Sequence, residues 1–119
     1  MEKVVMVVED ESLIRMGVAD YLIAQGLTVL EAGDAVEALA MLVEEAEGIQ
    51  ALFTDVWMPG VMDRLALSHH GKRHWPWIGL LVTSAHLTLE GAELPTGSRF
   101  LPKPYQYSCV MEAISELIG

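Results

Sequence analysis

Five consecutive apolar residues, Val4-Val5-Met6-Val7-Val8, run without a polar interruption and stop at three acids in a row, Glu9, Asp10 and Glu11. A run so short, continuous and rich in β-branched residues reads as a strand covered on both faces, as in the interior of a parallel sheet. From Ser12 to Gln25 the apolar residues Leu13, Met16, Val18 or Ala19, Leu22 and Ile23 recur at helical spacing, and Gly26 follows as a stop. Leu27 to Ala32 reads as a second strand. Asp34 with Glu37 three residues later is a capping-box-like start for a helix through about Ala46, closed by Gly48. The pattern then repeats. Ala51 to Thr54 reads as a strand, followed by a loop with Pro59 and Gly60, a short helix near Asp63 to His70, and the strand Ile78 to Thr83. Helical turns within His86 to Glu93, a turn over Pro95 to Ser98, a brief strand at Phe100 and Leu101, and an amphipathic helix from Tyr105 to Ile118 complete five β-then-α units. Strict alternation of this kind implies a parallel sheet with helices on both faces. Its sites lie beyond the carboxyl ends of the strands, where the strand order reverses.

Composition narrows the function. The 119 residues and 52% apolar content suit one domain with a sizeable core, spanning 1–119 with no linker, repeat or low-complexity tract. A net charge of −10 opposes general affinity for nucleic acid or anionic lipid. Cys109 is the single cysteine, so neither an intramolecular disulfide nor a multi-cysteine zinc site can form, and a reducing compartment is expected. No run approaches the roughly 18 apolar residues of a spanning helix. Trp75 to Val82 is too short and contains Pro76 and Gly79, while the run after Met1-Glu2-Lys3 is too brief for a secretory signal. The expected location is cytoplasmic.

The strand ends carry the polar residues that matter: Glu9, Asp10 and Glu11 after the first strand, Asp55 after the third, Thr83 and Ser84 after the fourth, and Lys103 after the fifth. An acidic triplet before a helix reads first as capping. Convergence of all these ends on one rim changes that reading. If the first and third strands are neighbours, Asp10 and Asp55 come close, and two carboxylates at about 4 Å in an effective dielectric of about 20 repel by roughly 4 kcal/mol. Such a cluster holds either a proton or a cation. An all-oxygen pocket favours Mg²⁺, with Lys103 completing the electrostatics.

Four blocks, Val7-Val8-Glu9-Asp10-Glu11, Thr54-Asp55-Val56-Trp57-Met58-Pro59-Gly60, Val82-Thr83-Ser84-Ala85 and Leu101-Pro102-Lys103-Pro104-Tyr105, make the chain resemble a bacterial response-regulator receiver domain over essentially its whole length. The resemblance implies a flavodoxin-like three-layer α/β/α fold, a doubly wound parallel sheet of order 2-1-3-4-5 with five helices. It implies that Asp55 accepts a phosphoryl group from a phosphohistidine on a histidine kinase or phosphotransfer protein. It further implies that Mg²⁺ is bound by Asp10, Asp55 and the backbone carbonyl of Trp57, with Glu9 acting through water. Lys103 and the Ser84 hydroxyl would contact the phosphoryl oxygens; Ser84 is preferred to Thr83 because small Ala85 follows it. Phe100, three residues before Lys103, matches the switch aromatic, and the Lys103-Pro104 peptide bond is implied to be cis. Phosphate lifetime would be tuned at Trp57 and His86. Trp57 offers an attacking water no acceptor, so a long-lived phosphate is expected.

The resemblance implies a switch in two-component signalling, not an enzyme, whose output passes through the face of the fourth helix, fifth strand and fifth helix to a downstream protein. Leu87, Leu89, Leu94, Tyr105 and Tyr107 are the exposed candidates there, and phosphorylation-dependent pairing of two copies is a further expectation. Direct DNA binding is not expected. A stand-alone receiver is the leading reading, with a receiver excised from a longer transcription factor or hybrid kinase as the alternative. A phosphatase of similar architecture is disfavoured by Trp57, where a second Asp would stand, and a flavin protein by the acids after the first strand. Arg64 stands where the family commonly has glycine, and either alters the backbone or reaches the phosphate. His69, His70 and His74, with Lys72 and Arg73, read as solvated cover rather than a metal tract. Cys109 and Met111 read as packing.

Overall fold

The computed structural model describes residues 3–55, 75–84 and 98–118, with only the backbone at Asp55 and Ser84. Strands β1 (Val4–Val8), β2 (Thr28–Ala32), β3 (Ile49–Asp55), β4 (Gly79–Ser84) and β5 (Arg99–Pro102) form one parallel sheet in the order β2-β1-β3-β4-β5, as expected. The described helices are α1 (Ser12–Ala24), α2 (Ala35–Glu45) and, last in the chain, α3 (Tyr107–Ile118), with a short 3₁₀ turn over Ala46–Gly48. The helix expected near 63–70 and the turns expected within 86–93 lie outside the described residues.

Side chains alternate across the strands, and both faces are buried. Val5, Val7, Phe53 and Leu81 pack against Val18 and Leu22 of α1 and Val110 and Ile114 of α3. Met6, Val8, Leu52, Leu80 and Val82 pack against Ala38 and Leu42 of α2. This double burial explains the uninterrupted apolar runs.

The helices start and stop largely as their residues dictate. Asp34 Oδ1 accepts the Glu37 amide at 2.8 Å, capping α2, and Gly26 ends α1 with a positive φ of 97°, a conformation that suits glycine. Within α1 the expected apolar set divides. Val18, Ala19 and Leu22 are buried, whereas Leu13, Met16 and Ile23 are 83%, 50% and 53% exposed. Both stripes have helical spacing, and the sheet accepts only the one that meets Val5 and Val7.

The parallel register between β1 and β3 contains one irregularity. Val4 pairs with Ile49 but Val5 pairs with Ala51, so Gln50 is an extra residue at the foot of β3. From Val5 upward the pairing is regular and reaches Val8 beside Thr54.

Candidate functional site

Three registers bring the strand ends to one level. Val8 lies beside Thr54, Asp55 beside Thr83, and Ser84 beside Pro102, so Glu9, Asp55, Ser84 and Lys103 stand along one rim. Strand order reverses between β1 and β3, and the acids flank that point. Asp55 is the last residue of β3, not the first of the following loop.

Glu9 is held on every side. It is 5% exposed, its amide donates to the Ala32 carbonyl at 3.1 Å, and its own carbonyl accepts from Arg15 Nη1 at 2.7 Å. Its carboxylate accepts the Glu11 amide on Oε2 at 3.0 Å and faces Lys103 Nζ at 3.5 Å from Oε1. A carboxylate this buried needs such partners. Glu11 is the N-cap residue of α1 but makes no side-chain cap bond, so the capping reading of the triplet does not hold for it. Asp10, next in the chain, is exposed.

The remaining rim residues separate by role. Thr83 is buried and its hydroxyl donates to the Leu101 carbonyl at 2.6 Å, committing it to β5. Phe100 lies opposite Val82, partly buried against the core on the α2 side. The Lys103-Pro104 peptide is cis, as the resemblance implied.

The family profile described as response regulator receiver domain matches residues 5–115. The chain belongs to the response-regulator receiver family. This receiver is 32% identical over 117 residues to the sensor kinase CckA of Brucella abortus (strain 2308), covering 96% of the chain and 12% of that protein. It is 34% identical over 119 residues to the DNA-binding transcriptional regulator NtrC of Salmonella typhimurium (strain LT2), covering 98% of the chain and 25% of that protein. The chain thus spans a quarter or less of the length of these relatives. Among solved structures, the receiver domain of the hybrid histidine kinase CckA aligns with a TM-score of 0.81 and 34% identity, covering 98% of this chain and 99% of that one. A receiver domain protein from Clostridium thermocellum aligns at 0.85 and 26%, covering 98% and 94%. The receiver is accordingly a phosphorylation-controlled signalling domain of two-component systems. Receiver domains act as switches generally not classed as enzymes, bind Mg²⁺ at the phosphorylation site, and work with histidine kinases or phosphotransfer proteins and with downstream effectors.

The receiver's rim fits that ion by its donor chemistry. Among the described rim residues the carboxylates offer oxygen donors, with exposed Asp10 beside a Glu9 whose two carboxylate oxygens already meet Lys103 and the Glu11 amide. No described helix of the receiver is long and apolar enough to cross a membrane.

Some expectations are corrected. Tyr105, expected on the exposed partner face, is partly buried and meets Phe53 edge-on at a centroid distance of 5.7 Å. Tyr107 is exposed but stacks near Tyr21 of α1 at 5.5 Å, on the α1 side of α3. Cys109 is exposed rather than packed, because it lies on the side of α3 opposite Val110 and the sheet, while Met111 does pack against the core. Arg15 was missed by sequence reasoning; its one signal was a basic residue in the first turn of a helix that follows three acids. Trp57, His86, Arg64, His69, His70, His74, Leu87, Leu89 and Leu94 lie outside the described residues.

Proposed function

We propose that Asp55 is the phosphoacceptor of this receiver and that Lys103 and Ser84 contact the transferred group. The observation that carries this reading is the common level of the ends of β1, β3 and β4 with Lys103, whose ammonium already faces the buried Glu9 carboxylate. A carboxylate is a weak nucleophile, so phosphoryl transfer here depends on positioning and charge neutralisation. An Asp55 carboxylate oxygen attacks the phosphorus of a phosphohistidine on the donor protein. The new P–O bond forms as the P–N bond breaks, and the electron pair returns to the imidazole nitrogen. Asp10, Asp55 and the Trp57 carbonyl would hold Mg²⁺, with Glu9 acting through water, and the ion when bound neutralises charge on the phosphoryl oxygens.

The acyl phosphate then needs donors. Lys103 supplies one and Ser84 the other, because Thr83 is spent on Leu101. Drawing Ser84 towards the phosphate makes room for Phe100 to turn inward, and the face of the fourth helix, fifth strand and fifth helix carries that change to a downstream protein.

Incubation with acetyl phosphate and Mg²⁺, followed by intact mass measurement, yields a single phosphoryl adduct on the wild type and none on Asp55→Asn. An undiminished adduct on the variant removes Asp55 from this role. The Trp57→Asn variant, which gives an attacking water a hydrogen-bond acceptor, loses its phosphoryl group faster than the wild type; an unchanged rate of loss removes Trp57 from the control of lifetime.

A further inference from the structure

We propose that Arg15, anchored by Glu31, is a positioning residue that sets the direction of Asp10 and thereby the Mg²⁺ affinity of the rim. This inference rests on the reading of Asp10 as a metal carboxylate. Arg15 lies in the first turns of α1 and reaches back across the β1 end: Nη1 donates to the Glu9 carbonyl at 2.7 Å, and Nε donates to Glu31 Oε1 at 3.2 Å, near the end of β2. Its guanidinium is a rigid planar fork, so fixing Nε on Glu31 also fixes where Nη1 points.

The Glu9 carbonyl belongs to the same planar unit as the Asp10 amide, and rotation about that bond is blocked by a barrier of about 18–20 kcal/mol. Holding this oxygen therefore orients the bond that leads into the Asp10 Cα. The other end of Glu9 is already pinned, by its amide on Ala32 and its carboxylate on the Glu11 amide and Lys103. Arg15 supplies a further constraint, at the point where the chain turns from buried Glu9 to exposed Asp10. Gly33 lies alongside, where a Cβ would come within 3.4 Å of Arg15 Nη1, an ordinary contact.

Charge and position predict opposite signs. As a mere cation near the rim, Arg15 repels Mg²⁺, and its removal tightens binding. As the anchor of the Glu9–Asp10 peptide, its removal weakens binding, by roughly the tenfold typical of losing a residue that orients a metal ligand.

Calorimetric measurement of Mg²⁺ affinity on wild type and Arg15→Met tests this, with thermal unfolding of the metal-free proteins as the control for folding. Binding about tenfold weaker in a folded Arg15→Met is expected; equal or tighter binding overturns the role. Should Arg15→Met fail to fold, Glu31→Ala and Glu31→Gln remove the same charge, but only Gln keeps an oxygen for Nε. Several-fold weaker binding in the Ala variant than in the Gln variant is then expected, and equal affinities overturn the proposal. A wild type that neither binds Mg²⁺ nor takes up a phosphoryl group removes the reading of Asp10 itself, an outcome distinct from a wild type that binds while the variants match it.

Discussion

Thr54 stands one residue before Asp55, fully buried, with an Oγ1 that meets no hydrogen-bond partner among the described residues. Burying a hydroxyl without a partner is costly, whereas valine offers the same shape without the polar atom. Thr54→Val is expected to raise unfolding stability by about 1 kcal/mol, read from the urea midpoint at unchanged slope, and to leave adduct formation on Asp55 intact. Thr83, on the neighbouring strand beside Asp55, shows the contrary case, since its hydroxyl has the Leu101 carbonyl. Glu9 shows a third, a buried carboxylate whose two oxygens meet a lysine and a backbone amide.

Gly17 leaves room between α1 and α3 for the Tyr107 hydroxyl. Tyr107 lays its ring near Tyr21 and its hydroxyl over Gly17, where a methyl group would overlap it. In a free helix Gly→Ala gains about 1 kcal/mol, so Gly17→Ala is expected to yield little in the wild type. In a Tyr107→Phe background, which removes the overlapping oxygen, it recovers most of that gain; the difference across the four proteins, measured by chemical denaturation, is a coupling near 1 kcal/mol. The same helix shows where reading a sequence stops. Leu13, Met16 and Ile23 carry as good a period as Val18 and Leu22, and only contact with β1 decides between the stripes. Strands were legible because double burial writes them as unbroken apolar runs, and α2 because Asp34 and Glu37 announce its start. Tyr105 and Cys109 were not, since a side chain's lean inward or outward at the start of α3 depends on Phe53 and on the helix's rotation against the sheet.

At the scale of the whole molecule, the site is legible to the extent that it depends on strand order. Once the chain alternates strand and helix, the rule that sites form at the carboxyl ends gives Glu9, Asp10, Glu11, Asp55, Thr83, Ser84 and Lys103 as candidates without reference to any contact. Arg15 escapes that rule because its part depends on the reach of a side chain from α1 to the end of β2. The extra residue Gln50 adds a constraint of another kind. The mismatch in length between β1 and β3 is absorbed at the foot of the sheet, below Val5, and none remains where the strands finish. Each residue of a strand advances the chain by about 3.3 Å and turns its side chain to the opposite face. An insertion beside Gln50 is therefore expected to leave the phosphoryl adduct forming, and an insertion between Phe53 and Asp55 to abolish it, both by intact mass. β3 acts as a ruler with its slack at one end: its zero mark can slide, but the reading at Asp55 cannot.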